Sequence, residues 1–321
     1  MRARRWQRSA WWAWLAGGAA LVAGCAAQEQ RAAVAYTDEA WTFGRTTGHK
    51  LTTDHYELYT TLTDPVLVAA LPDFVERAYA RCRTLLPPVK EPQERMRIYL
   101  FATRGQWEAF TRRFTGARAA TFLKVRNGGY SERGVTVIEY VSHAVTFPLL
   151  AHEGFHQYVH HYVGEEIPPW LNEGLAVWCE GQRWGMYALK EFDPWYNPSR
   201  QNQLIESLQG GHLHPLRRLL ETHAGRIIEG SSRSVLTYYA QVWALVLFLQ
   251  EGEGGKYAAD FRRLLDDLGR PELLERARAG FIWSDRGDFN LGEAVFRAYI
   301  RDDIAAVERE YVNFLRARFL P

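Results

Sequence analysis

The chain has 321 residues, 47% of them apolar and 14% aromatic, and a formal charge of +2. That is enough apolar material for one large domain or two moderate ones, and twelve Trp, sixteen Tyr and sixteen Phe exclude a disordered chain. Four arginines before residue 25 account for +4, so the rest carries −2 and nothing basic is left to suggest nucleic-acid binding.

Arg2, Arg4, Arg5 and Arg8 lead into an apolar run from Ala10 to Leu21, which closes at Val22-Ala23-Gly24-Cys25. The run is too short and too glycine-rich for a good membrane span and fits a secretory signal. Its ending resembles a bacterial lipoprotein box, cut before the cysteine. That implies a signal peptide over 1–24, lipidation of Cys25, and a lipid-anchored place in the cell envelope facing periplasm or exterior. An ordinary signal peptide with an incidental cysteine, or a short membrane anchor, is the alternative. Cys82 and Cys179 remain, an even number that permits a disulfide in an oxidising compartment and is explained about as well by two buried thiols.

Residues 25–49 are polar, small and mixed, and are expected to be a tether, with Trp41 and Phe43 the first to touch a folded body over 50–321. A short aromatic strand is expected at His55–Tyr59. Asp64-Pro65 then gives an N-cap and a first-turn proline, and Val68, Leu71, Val75, Ala78, Tyr79 and Cys82 recur at helical spacing up to Pro87-Pro88. Met96–Phe101 alternates as a strand, and Thr103 can cap a helix carrying Trp107, Phe110 and Phe114. Asn127-Gly128-Gly129-Tyr130 reads as a turn before a third strand at Val135–Tyr140.

From about residue 146 the pattern is mainly helical. Arg183–Ser207 is expected to be irregular and aromatic, either lining a cleft or covering the core. Leu216–Thr222 follows His214-Pro215 as a helix, and Tyr238–Leu249 is apolar nearly all round, as in a buried helix. Phe261, Leu264, Leu265 and Leu268 mark another, and Ile304, Val307, Tyr311 and Phe314 mark the last. The fold class is therefore α+β: a small mixed β-sheet lobe over about 50–145, then a mainly helical lobe over about 146–321.

Between the lobes lies His152-Glu153-Gly154-Phe155-His156, an H-E-x-x-H pattern in an apolar, helix-compatible setting. Residues four apart share a helix face about 6 Å apart, so the two imidazoles can converge on one zinc ion. Glu153 leaves the same turn at another azimuth and can reach a water on that ion, whose pKa zinc lowers toward about 7. As base it can then pass the proton on to a leaving nitrogen. A third ligand must come from elsewhere, and Glu173 is the best candidate. Pro168-Pro169 separates two helices so that the second can fold back, with small Gly174 and Ala176 beside the glutamate. His160 lies one turn too far along the helix, and Val159 and Tyr162 stand where the long metzincin pattern needs Gly and His. His160 and His161 are expected to form a polar helix end.

Together with Trp170-Leu171-Asn172-Glu173-Gly174-Leu175-Ala176, the motif resembles the gluzincin peptidases, more narrowly the peptidase MA-like or DUF1570-type bacterial proteins, over about residues 50–320. The resemblance implies a zincin-like fold with His152, His156 and Glu173 as zinc ligands and Glu153 as catalytic base. It implies that the strand after Gly128-Gly129-Tyr130 pairs with extended substrate. It also implies a tyrosine donor to the oxyanion some sixty-odd residues past the glutamate; Tyr239 fits, with Tyr238 as competitor and an aromatic core role as the alternative for either. Two features depart from the pattern. Val177 stands where an aspartate often orients a histidine, with Glu180 the candidate to substitute, and no G-x-M-E-N-type aminopeptidase signature precedes the motif.

The expected protein is a zinc metallopeptidase with one Zn2+, acting on peptide or protein substrates at the envelope and not on nucleic acid. A catalytically inactive binding or scaffold protein is the rival, and a hydrolase of a non-peptide amide a third reading. An open cleft at Glu153 would favour catalysis, and a closed, packed site the scaffold.

Overall fold

The computed structural model describes residues 33–320 apart from 93, 127, 165, 186–187, 223–230 and 280–288. The expected signal peptide over 1–24 and Cys25 lie outside the described residues. Six strands form one mixed sheet: β1 (Thr37–Phe43), β2 (Thr46–Thr52), β3 (Tyr56–Thr60), β4 (Met96–Phe101), β5 (Gly129–Glu132) and β6 (Val135–Glu139). Their order across the sheet is β1-β2-β3-β4-β6-β5, with β3, β4 and β6 parallel and the outer pairings antiparallel. The molecule is thus α+β.

Two sequence expectations are corrected here. Residues 37–49 are not a tether: β1 and β2 form a hairpin whose second strand pairs with β3. The hairpin escapes a hydropathy reading because β1 is a sheet edge and exposes most of its residues, so it has no buried face to alternate. Gly129 and Tyr130 are not turn residues either, since they open β5. The turn comes at Arg133 and Gly134, both at positive φ (+51° and +72°), as a two-residue hairpin loop of the I′ kind requires. In consequence Val135–Glu139 is paired on both sides, and the free edge of the sheet next to it is β5.

Helix α1 (Pro65–Leu85) begins as its sequence predicts, the Asp64 carboxylate accepting from the backbone N–H of Val66 and Leu67 at 2.9 and 3.2 Å. All six of its predicted core residues are buried. Thr103 caps α2 (Arg104–Thr115), and a short α3 (Ala119–Phe122) follows. These cover one part of the sheet through Trp107, Phe101, Tyr130 and Val137. On the other side of the sheet lie α1 and α4 (His143–Tyr158), continued by a wider π-type turn over Val159–Val163.

After α5 (Pro169–Glu180), Gln182–Trp184 (β7) and Leu189–Phe192 (β8) pair as a small second sheet, and Pro198–Gln209 forms α6. The described part of 183–207 is therefore largely strand and helix, not irregular. Its polar helix buries only Leu204 and Ser207, which leaves no apolar stripe to read from sequence. Next come α7 (Leu216–Glu221), α8 (Ser232–Glu251), α9 (Ala258–Asp267), α10 (Pro271–Ala279), α11 (Leu291–Tyr299) and α12 (Ile304–Phe319). Helix α8 is the axis of this lobe: Val242 to Leu249 are all at 0% exposure. Gly174 belongs to its packing. A Cβ there would come within 2.8 Å of the Val242 carbonyl and a Val246 methyl, so the glycine lets α5 lie close against α8. Among the described residues no helix is long and apolar enough to cross a membrane. Cys82 of α1 and Cys179 of α5 are both buried and unbridged.

Candidate metal centre

Helix α4 presents His152 and His156 on one face, and α5 crosses it so that Glu173 meets both. His152 Nε2 and His156 Nε2 are 3.2 Å apart, and Glu173 Oε2 lies 3.5 and 3.6 Å from them. A tetrahedron with metal–ligand distances of about 2.0–2.2 Å has edges of about 3.3–3.6 Å. The three atoms are thus spaced as three corners of one coordination sphere. These residues form a group that can hold a metal ion.

The outer nitrogens show why the inner ones are available. His152 Nδ1 is 2.9 Å from Glu180 Oε1, and His156 Nδ1 is 3.3 Å from Asn172 Oδ1. Each contact is satisfied when Nδ1 carries the proton, which leaves the Nε2 lone pairs facing each other and Glu173. Glu173 Oε2 is buried and has no hydrogen-bond partner among the described residues. Three inward-facing acceptors repel unless something positive joins them. Without a metal a proton serves. Burial alone would lower the basicity of His152, but Glu173 and Glu180 outweigh it and raise its pKa to about 10. Burial likewise opposes ionisation of Glu173, yet His156 and His152 hold its carboxyl well below the usual range. A divalent cation answers the same need with three bonds instead of one proton.

Glu180 is itself anchored. It accepts from Asn197 Nδ2 at 2.9 Å and from Arg200 Nε and Nη2 at 3.1 and 2.8 Å. Burial would raise its pKa, but Arg200 and His152 bring it down to about 2, so it is a carboxylate at any working pH. The place held by Val177 is thus filled from one turn further along α5, and Val177 is a core residue at 0% exposure. Asn197 and Arg200 were not singled out by the sequence reading. The readable signal was Asn197-Pro198, an N-cap followed by a first-turn proline, with Asn197 Oδ1 accepting from the Arg200 N–H at 3.3 Å.

Glu153 stands beside the cluster at 8% exposure, the same as His152 and Glu173. Burial pushes its carboxyl above the ordinary value; His152 and His156 pull the other way, and Glu173 and Glu180 add to the rise. The Tyr239 ring lies edge-on to His152 with centroids 6.1 Å apart, and the Arg200 guanidinium sits 5.3 Å from the Tyr239 ring centre. Glu173 foremost, then burial, pushes the Tyr239 phenol well up, so it is a proton donor across the physiological range. Tyr238 is 2% exposed with its hydroxyl unpartnered among the described residues, whereas Tyr239 is half-buried. His160 and His161 are outside the cluster. The π-type turn carries them over Gly134, where a Cβ would fall within 2.6 Å of both rings, and His161 Nε2 is 3.0 Å from the Gly134 carbonyl. No protein-family model matches the chain, and no curated protein matches it.

Proposed function

We propose that the chain is a zinc-dependent metallopeptidase of the gluzincin type, built on a zincin-like fold and acting on peptides at the bacterial envelope through a lipid anchor on Cys25. The convergence of His152 Nε2, His156 Nε2 and the unpartnered Glu173 Oε2 at tetrahedral-edge distances carries this reading. Zinc held there supplies a Lewis acid and a water of lowered pKa. Glu153, whose carboxyl burial holds above its ordinary value, would accept a proton from a water there and return it to the departing amine. Tyr239 donates its phenolic proton toward the developing oxyanion. Glu180, fixed by Arg200 and Asn197, keeps the His152 lone pair aimed inward. The outer edge of β5 offers unpaired backbone groups to an extended substrate.

Purified protein is expected to hold one zinc per chain, and Glu153→Gln to lower peptide hydrolysis by about 10²–10⁴-fold with zinc retained. Absence of stoichiometric zinc, or undiminished hydrolysis by the variant, overturns the proposal. One observation favours a second reading. Only 8% of Glu153 is exposed, which suits a binding or scaffold protein that keeps the metal cluster without turnover. Zinc at full occupancy with no hydrolysis of peptide or other amides would select it, while hydrolysis of non-peptide amides alone would move the substrate class and keep the chemistry.

A further inference from the structure

Cys82 on α1 and Cys179 on α5 have no part in the chemistry of the metal cluster. Each is 2% exposed, both belong to the same hydrophobic core, and they are unbridged. The residues before them bring the two helices together. The Arg81 guanidinium lies 3.9 Å from the Trp178 ring centre, and its Nη1 donates to the Phe192 carbonyl at 3.3 Å. Trp178 is held in turn by its Nε1, which donates to Gln250 Oε1 on α8 at 3.0 Å. One residue further along each helix, the two thiols lie close enough to act as donor and acceptor to each other.

The surroundings are not those of an inert pair of core thiols. Arg81 Nε and Nη2 are buried with no hydrogen-bond partner among the described residues, and the Cys179 sulfur is the group set beside them. A cation next to a thiol favours its thiolate, the reactive form in disulfide exchange. The contact from Cys82 foremost, then Arg81, holds the Cys179 thiol below its ordinary value; the same contact and burial push the Cys82 thiol well above its own. Cys179 is thus the nucleophile of the pair and Cys82 the resolving thiol. The residue after Cys179 is Glu180, so a bond there ties α1 to the helix that carries Glu173 and the support of His152.

We infer that Cys82 and Cys179 are a disulfide site: the packing of α1 on α5 holds the two sulfurs ready to be joined by exchange with a protein or low-molecular-weight disulfide. The Cys179 thiolate attacks one sulfur of that oxidant, whose S–S bond breaks and releases one thiol. Cys82, its proton passed to solvent, then attacks Cys179 Sγ, and the second thiol leaves. Two electrons pass from the cysteines to the oxidant, one S–S bond replacing another. Because both thiols are buried, the oxidant reaches them while α5 is opened from α1. The loop closed is about 100 residues long, so the bond removes much freedom from the unfolded chain.

The inference does not depend on the peptidase reading, and its test needs neither metal nor substrate. The full-length chain carries Cys25→Ser, so that Cys82 and Cys179 are the only cysteines left. It is incubated folded, and separately refolded from urea, with glutathione disulfide or with dithiothreitol, then unfolded and alkylated. With glutathione disulfide both thiols are expected to be lost to alkylation, and peptide mapping to find them joined to each other. The Tm is expected to rise by about 5 °C or more, and dithiothreitol to reverse both changes. Each comparison is made within one chain, so no core variant has to fold. Thiols that stay free after both treatments, glutathione adducts in place of an internal bond, or a bond that leaves the Tm unchanged or lower overturns the inference.

Discussion

The two histidines of the cluster are supported in opposite ways. Behind His152 stands a buried carboxylate, Glu180, which is held in turn by Asn197 and Arg200 on α6. Behind His156 stands a single neutral amide, Asn172, at the longer distance of 3.3 Å and in a half-buried position. A charged acceptor makes a stronger hydrogen bond than a neutral one, by roughly a factor of two. His152 is therefore fixed in direction and made more basic, while His156 is oriented by the weaker, neutral contact. The first ligand reports on a network spanning three elements, and the second only on its neighbour on α5.

Glu180→Ala is expected to have the largest effect on this asymmetry. Loss of the partner behind a metal-bound histidine costs about 10–100-fold in metal affinity, and Glu180 should lie at the upper end. The same change leaves the Arg200 guanidinium without its counter-ion. That should destabilise the fold by about 3 kcal/mol, the lower end for breaking a buried pair, because 17% of the Arg200 side chain remains exposed. Competition with a chromogenic chelator measures the first effect and urea unfolding the second. Equal losses for Glu180→Ala and Asn172→Ala would show that the network on α6 contributes nothing beyond a local hydrogen bond.

A pH titration separates the two supports next. In the metal-free protein His152 has a pKa of about 10 against an ordinary 6.5, so its pairing adds stability in full below pH 6.5 and loses it as pH rises through 10. Zinc must displace that proton. Apparent zinc affinity is therefore expected to rise by up to about tenfold per pH unit between 6.5 and 10. In Glu180→Gln the raised basicity falls, and the rise should flatten at a lower pH. A slope identical in both proteins would mean that Glu180 does not set the proton affinity of the site.

The parts of the molecule legible in the sequence are those where one residue type does one physical job. Asp64 and Thr103 announce helix starts because their short oxygens meet free N–H groups, and both caps are found. His152, His156 and Glu173 announce themselves by spacing, because a helix converts a gap of four into a shared face. What was missed depends on relations between elements. The β1–β2 hairpin is polar on its exposed edge and takes its place only through pairing with β3. Helix α6 buries two residues and exists to bring Asn197 and Arg200 to Glu180, a role no local pattern encodes. Gly174 is small beside Glu173, yet the atoms a side chain there would strike belong to α8, which is distant in sequence.

The smallest expected effect comes from making the two supports alike. Asn172→Asp places a carboxylate behind His156 at nearly the same size, so packing on α5 is undisturbed. The new charge strengthens the hydrogen bond from His156 Nδ1 and raises the basicity of Nε2, which favours the metal. It also lies next in sequence to Glu173, whose carboxylate it repels, and half-exposure lets water screen both interactions. The attraction is transmitted through a direct hydrogen bond and the repulsion through solvent, so the first should prevail by a small margin. Zinc affinity is expected to rise about threefold to tenfold, and Asn172→Ala to lower it by a similar factor. Isothermal competition titration resolves changes of that size. If neither substitution shifts the affinity, His156 is oriented by packing alone, and the support at this ligand is steric where that at His152 is electrostatic.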